Sequence, residues 1–320
     1  MGSDGNATAS DRIAGTALGA LGVLLFSFSL PFTRLAVLDL DPWFVAFGRA
    51  AGAAVLSAAY LRISRAPRPT RLQWRRLGIV ALGVVVGFPL LTSLALTTQT
   101  SAHGAVVIAA LPAVTAIFAV IRAGERPPLL FWVASAAGLA SVVGFVALSG
   151  NLKGAFELPD LYLLTAIVLC GLGYAEGGAL ARELGGARTI CWALILSAPV
   201  TFPVTALAAW LQPPHAGAIG WIGFGYVTVF SMFLGFFAWY AGLGRGGVAH
   251  VGQVQLAQPV LTLAWSALLL GEAVTPGAIG AAALVLACVA LTQRARRRAP
   301  SRGGGGSDGA AAVVPVGAAR

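Results

Sequence analysis

The stretch AHGAVVIAALPAVTAIFAVIRAGE, residues 102–125, returns 147 residues later as AHVGQVQLAQPVLTLAWSALLLGE, residues 249–272. Eight of the 24 positions are identical: Ala102, His103, Val107, Ala110, Pro112, Thr115, Gly124 and Glu125 recur as Ala249, His250, Val254, Ala257, Pro259, Thr262, Gly271 and Glu272. The histidine, the mid-segment proline and the closing Gly-Glu pair all keep register. If both copies are membrane helices and an odd number of spans separates their positions, they cross the bilayer in opposite directions. Such a repeat predicts two similar, inverted halves, an architecture frequent among secondary transporters.

Working outward, the chain around the repeat is built for a bilayer. Hydrophobic residues make up 58% of it and charged residues 10%, with a mean hydropathy of +0.85. That leaves too little polar surface to cover a water-soluble globule. A spanning helix needs about 20 apolar residues. The uncharged runs 13–33, 127–152, 246–271 and 273–293 each supply one. The run 77–121, interrupted by TTQTSAHG at 97–104, and the run 189–244, interrupted by QPPH at 212–215, supply two apiece. Segments 42–61 and 161–181, interrupted only by Arg49 and Glu176, add two more. The expected fold is an all-α integral membrane protein of ten transmembrane helices arranged as two inverted five-helix repeats. The expected organisation is a flexible N-terminus at 1–11, repeats at 12–150 and 151–294, and a basic, flexible tail at 295–320.

Lys and Arg in short loops stay cytoplasmic. With the N-terminus inside, Arg62, Arg65, Arg68, Arg71, Arg75, Arg76, Arg122, Arg126, Arg182, Arg188, Arg245, Arg294, Arg296, Arg297 and Arg298 share the inner side, against Lys153 and Arg34 outside. Both termini are therefore expected in the cytoplasm. The net charge of +10 reads as topogenic, with weak attraction to anionic lipid, and points to no nucleic-acid partner. Glu125 then closes the fourth helix on the inner side and Glu272 the ninth on the outer side. Cys170, Cys191 and Cys288 fall within expected helices without metal spacing and read as buried thiols.

Polar groups within a span are costly unless paired or wet. The ninth helix carries Gln255, Gln258, Thr262 and Ser266 on one face with Pro259, which lacks an N–H and frees the Gln255 carbonyl one turn earlier. This face reads either as a substrate lining or as interhelical hydrogen bonding. The equivalent face of the fourth helix, Ile108, Leu111, Pro112 and Thr115, is nearly apolar. A lining polar on one side and greasy on the other suits an amphiphilic solute. The third helix adds Phe88, Thr92 and Gln99, and Trp239, Tyr240 and Trp265 lie deep, away from the interfacial belts. Arg49 has two readings: a structural cation snorkelling toward Asp39 or Asp41, or a carboxylate-binding group. Glu176 is the acidic residue clearly inside a span; it reads as a proton-coupling site or as the partner of Arg182 or Arg245. His103 and His250 read as pseudo-symmetric gates or as helix-end groups bonding the backbone. Pro112 and Pro259 break the backbone ladder of two equivalent helices and read as bending points. Pairs such as Gly83 with Gly87 and Gly242 with Gly246 let helices approach closely.

GERPPLLFWVASAAGLASVVGFVAL (124–148) and GEAVTPGAIGAAALVLACVAL (271–291) both resemble the Gly-Glu helix signature of the drug/metabolite transporter superfamily, in its EamA-domain branch. TSAHGAVVIAALPAV (100–114) and GVAHVGQVQLAQPVL (247–261) resemble the small-residue run ending in Pro that precedes it, and DPWFVAFGRAAGA (41–53) is similar to the family's Pro-then-Arg second helix. The likeness covers residues 13–293. It implies a ten-helix exporter working by alternating access, with a cavity lined by helices 1, 3, 4, 6, 8 and 9 around Pro112 and Pro259. The overall likeness is greatest to bacterial aromatic amino-acid exporters, which makes amino acids the expected cargo and the bacterial cytoplasmic membrane the expected location. A broad drug or nucleoside exporter is the alternative, and a non-transporting scaffold or channel a third. The small drug-exporting relatives carry a glutamate in the first helix, absent here, which disfavours cation export by that route. No HExxH or GxSxG motif marks an enzyme, and no cofactor or obligate protein partner is expected.

Overall fold

The computed structural model describes residues 9–123, 128–149, 157–246, 251 and 254–297. The regular secondary structure of those residues is all helical, joined by short turns and loops, with no strand among them. Among the described residues seven helical segments are long and apolar enough to cross a membrane: α1 (Ile13–Val37), α2 (Pro42–Ile63), α3 (Arg71–Ala95), α4 (Ser101–Ile121), α6 (Leu158–Leu184), α7 (Gly186–Leu211) and α8 (Ala218–Gly246). Three further helical segments complete the order: α5 (Leu129–Ser149), α9 (Val254–Leu270) and α10 (Pro276–Arg297).

Local chemistry places the helix starts. Asp41 caps α2 by accepting from the Phe44 N–H at 2.8 Å, with Pro42 behind it in the first turn, where a missing N–H is harmless. Thr70 and Gln73 form a reciprocal capping box on α3. Thr100 accepts from the His103 N–H to start α4. At its other end α9 stops on Gly271, whose φ of +64° suits glycine.

The helices pair in a pattern that a shift of five leaves unchanged. α1 packs on α8 as α6 packs on α3; α1 packs on α9 as α6 packs on α4; α2 meets α7, α4 meets α9 and α5 meets α10. Within the first pairs the neighbours are antiparallel: Gly15 lies against Gly246 and Gly22 against Trp239, while Gly83 lies against Gly173 and Gly87 against Leu169. The absent side chains set these distances. A Cβ on Gly15 would stand 2.5 Å from the Gly246 nitrogen, and one on Gly83 2.4 Å from the Leu169 carbonyl oxygen.

Irregularities obey the same symmetry. α4 is interrupted between Ile108 and Leu111, just before Pro112, and α9 opens with a tight 3₁₀ turn, Val254–Ala257, just before Pro259. α3 widens into a π-helical stretch at Ala81–Gly87 and α8 at Val227–Gly235, positions again about one repeat offset apart. α1 breaks at Phe28, three residues before Pro31. Pro31 cannot donate to the Ser27 carbonyl. The Thr262 hydroxyl of α9 takes that carbonyl at 2.8 Å, which ties the two helices together.

Candidate substrate cavity

The central cavity lies where these irregularities meet. Phe26, Ser29 and Leu30 of α1, Arg49 of α2, Val84 and Phe88 of α3, Ile108 and Leu111 of α4, Cys170 and Tyr174 of α6, Ser231 and Phe236 of α8 and Gln258 of α9 enclose it. To a water-sized sphere it offers about 20 Å³, room for roughly one water. A solute therefore enters only if the lining helices part.

One wall is aromatic. Phe26 and Phe236 meet edge to face at 4.8 Å, and Tyr174 stands 6.0 Å from Phe236 and 6.5 Å from Phe26. The opposite chemistry comes from Arg49, Ser29, Ser231 and Gln258. Arg49 Nη2 donates to Ser231 Oγ at 3.1 Å, and the Ser231 and Ser29 hydroxyls share a 2.7 Å hydrogen bond. Arg49 Nε and Gln258 Oε1 are buried without hydrogen-bond partners. Each unmade bond is expensive where water is excluded.

Two polar clamps bracket the cavity along α6. At its start Asp160 accepts from His103 Nε2 at 2.8 Å, joining α4 to α6, and Gln99 donates to Glu157 at 3.3 Å. Beside them the Glu272 carboxylate accepts from the backbone N–H groups of Ser101 (3.0 Å) and Ala102 (2.8 Å) and from the Ser101 hydroxyl (2.9 Å). Ser101 and Ser266 share a further 2.7 Å hydrogen bond. The end of α9 thereby caps the start of α4 with a negative charge, where the helix dipole favours one. Toward the other end of α6, Arg76 of α3 pairs with Glu176, about 24 Å from Asp160 at 1.5 Å per residue, and with Glu183 about two turns further on.

Of the residues expected to bind substrate, Phe88 and Gln258 line the cavity and the others do not. Thr92 turns inward to its own helix, donating to the Phe88 carbonyl at 2.7 Å. Gln99 belongs to the clamp at the start of α6. Trp239 and Tyr240 are buried behind the lining, Trp239 5.8 Å from Tyr174 and Tyr240 5.3 Å from Phe236. Gln255 is buried outside the lining, its Nε2 unpartnered. Trp265 donates from Nε1 to Ser27 Oγ at 2.9 Å and stacks on Phe28 at 4.4 Å, so with Thr262 it fastens α9 to α1.

The remaining expectations divide. Arg49 does not snorkel: Asp39 accepts from the Gly217 N–H and Asp41 from the Phe44 N–H, leaving Arg49 only 3% exposed at the cavity. Among the described ion pairs, Glu176 is held by Arg76 rather than by Arg182 or Arg245. His103 bonds the Asp160 carboxylate across helices. His250 and Glu125 lie outside the described residues. Sequence reading passed over Phe26, Tyr174, Ser231 and Phe236. Their spacing held a clue, since Phe26, Ser29 and Leu30 share one face of α1, as Cys170 and Tyr174 do of α6.

The sequence model of a family described as "EamA-like transporter family" matches twice, at residues 13–147 and 158–294. A Bacillus subtilis (strain 168) protein called "Uncharacterized transporter YdeK" is 47% identical over 279 residues, covering 86% of this chain and 96% of its own. A solved structure described only as "Crystal structure of protein" superposes with a TM-score of 0.61 at 20% identity, covering 89% of this chain and 99% of that one. It shares the fold.

Proposed function

The chain belongs to the EamA-like transporter family, a family of multi-pass membrane transporters and not of enzymes, and from that premise we propose that it exports amino acids, aromatic and other neutral ones, by alternating access. In this reading all ten helical segments span the bacterial cytoplasmic membrane, the two repeats are inverted, and both termini are cytoplasmic. The start of α4 and the end of α9 then face outward, and the Arg76 cluster faces inward.

The observation that carries the reading is the cavity itself. It lies at the junction of the repeats and pairs an aromatic wall of Phe26, Phe88, Tyr174 and Phe236 with a polar wall of Ser29, Arg49 and Gln258. An amino acid has a head for one wall and a side chain for the other. A zwitterion does not cross hydrocarbon cheaply, so alternate exposure of such a cavity is the physical requirement. The breaks before Pro112 and Pro259 give the moving helices places to bend. With Glu176 committed to Arg76, the reading is facilitated diffusion down the gradient of the amino acid.

Export from cells tests it. Bacteria loaded with dipeptides of tryptophan, phenylalanine, threonine or methionine release the free amino acid, and expression of the protein should speed its appearance in the medium. If release is unchanged for all four while nucleosides or dyes leave faster, the cargo is of the broader kind.

A further inference from the structure

We infer that Arg49 is the anchor for a carboxylate on the transported solute, so that an anionic head group is what this cavity selects. The inference rests on the proposed amino-acid reading and assigns the atom that would recognise it.

Arg49 is a buried guanidinium with no counter-ion among the described residues. Every acidic side chain described there is engaged elsewhere. Asp39 and Asp41 take backbone N–H groups, Glu157 takes Gln99, Asp160 takes His103, Glu176 and Glu183 take Arg76, and Glu272 takes Ser101 and Ala102. A buried cation without a partner destabilises the protein that carries it. Such a charge is understandable where a ligand completes it.

The geometry fits a carboxylate. The Nε–Nη edge of guanidinium binds carboxylate oxygens in pairs, and here Nε is unpartnered while Nη2 leans only on Ser231. Ser231 and Ser29 keep hydroxyls beside it. Gln258 Oε1, an unpartnered acceptor on the same cavity, suits the ammonium group of an α-amino acid. Two orphaned atoms of opposite hydrogen-bonding sense in one cavity match the two ends of a zwitterion.

The test uses the full-length protein in two measurements. In proteoliposomes exchanging labelled tryptophan, unlabelled tryptophan competes, whereas tryptophan amide and tryptamine, which lack the carboxylate, should compete at least about 100-fold more weakly, since a site built around a charged group rejects an analogue that leaves it unpaired. Equal competition by the amide overturns the assignment and leaves the transport reading standing. Separately, the thermal unfolding of purified protein should rise on adding tryptophan or indole-3-propionate. Arg49→Gln should abolish that rise without lowering the unfolding temperature of the ligand-free protein, because it removes an unpaired charge. If no amino acid exchanges but indole-3-propionate still protects through Arg49, the amino-acid reading fails and the carboxylate assignment holds. A rise of equal size in Arg49→Gln, or a drop of many degrees in its ligand-free unfolding temperature, shows a structural arginine and overturns the inference.

Discussion

Replacing Glu272 by glutamine should loosen the side of the protein that the proposed orientation makes outer. The carboxylate accepts three hydrogen bonds at the start of α4, two from backbone N–H groups. An amide keeps one acceptor oxygen and turns an NH₂ group toward a donor. The loss is one charge-assisted hydrogen bond, about 1.5–3 kcal/mol, with part of the helix-dipole term, about 0.3–1 kcal/mol. Taken together, about 1.7–3.5 kcal/mol of closure is lost, and at about 1.4 kcal/mol per decade the outward-open population rises by about 15- to 300-fold. The protein carries its own reporter in Cys170, which lines the cavity and is 1% exposed. With Cys191 and Cys288 replaced by alanine, a membrane-impermeant thiol reagent added from outside reaches Cys170 only through the opening. Its modification rate should rise by the same factor in Glu272→Gln. An unchanged or slower rate would refute the reasoning, since the carboxylate would then hold nothing that opens.

Arg76→Gln breaks the pair with Glu176, a carboxylate 2% exposed, and should cost about 3–5 kcal/mol, the order expected for removing one member of a buried pair. Thermal unfolding in detergent should show the double variant Arg76→Gln/Glu176→Gln recovering most of that loss; additive losses would contradict the pairing. Gly83→Ala drives a Cβ against the Leu169 carbonyl and should destabilise by about 1–3 kcal/mol. Gly78→Ala, which meets nothing within 4 Å, should be neutral or gain up to about 1 kcal/mol, and the same melts compare the two. Trp265→Phe removes the hydrogen bond to Ser27 and should cost about 1 kcal/mol of stability while leaving the ranking of exported amino acids unchanged; a reordered ranking would return Trp265 to the cavity.

Legibility followed the range of the interactions. Composition and the 147-residue repeat are properties of the whole chain, and they led to a helical membrane protein in two repeats. The breaks before Pro112 and Pro259 follow from a missing N–H and could be read locally. The π-helical stretch of α8 contains no proline, so nothing local marked it. Along α9, Gln255, Pro259, Thr262 and Ser266 are all buried, but of the polar side chains on that face only Gln258 lines the cavity; which depth along the helix the cavity occupies is not set by helical spacing. Thr262 and Trp265 looked free to line a cavity because their partner, the Ser27 region of α1, lies more than 230 residues away. Yet Pro31 did announce a free carbonyl at Ser27. Arg76, which pairs with Glu176, was likewise 100 residues distant, beyond what local spacing can show. Arg49 was legible as a cation within a span; that it stays buried and that no described acid reaches it required the place of each described carboxylate.

Counterflow in proteoliposomes tests the central claim most directly. Vesicles holding the purified protein, preloaded with unlabelled tryptophan and diluted into a trace of labelled tryptophan, should accumulate label transiently above its equilibrium level, because one cavity that opens to each side in turn couples the outward and inward steps. Accumulation should saturate with substrate and vanish when the preload is omitted. Label that only equilibrates at a rate linear in concentration would mean an open path, and alternating access around this cavity would be wrong.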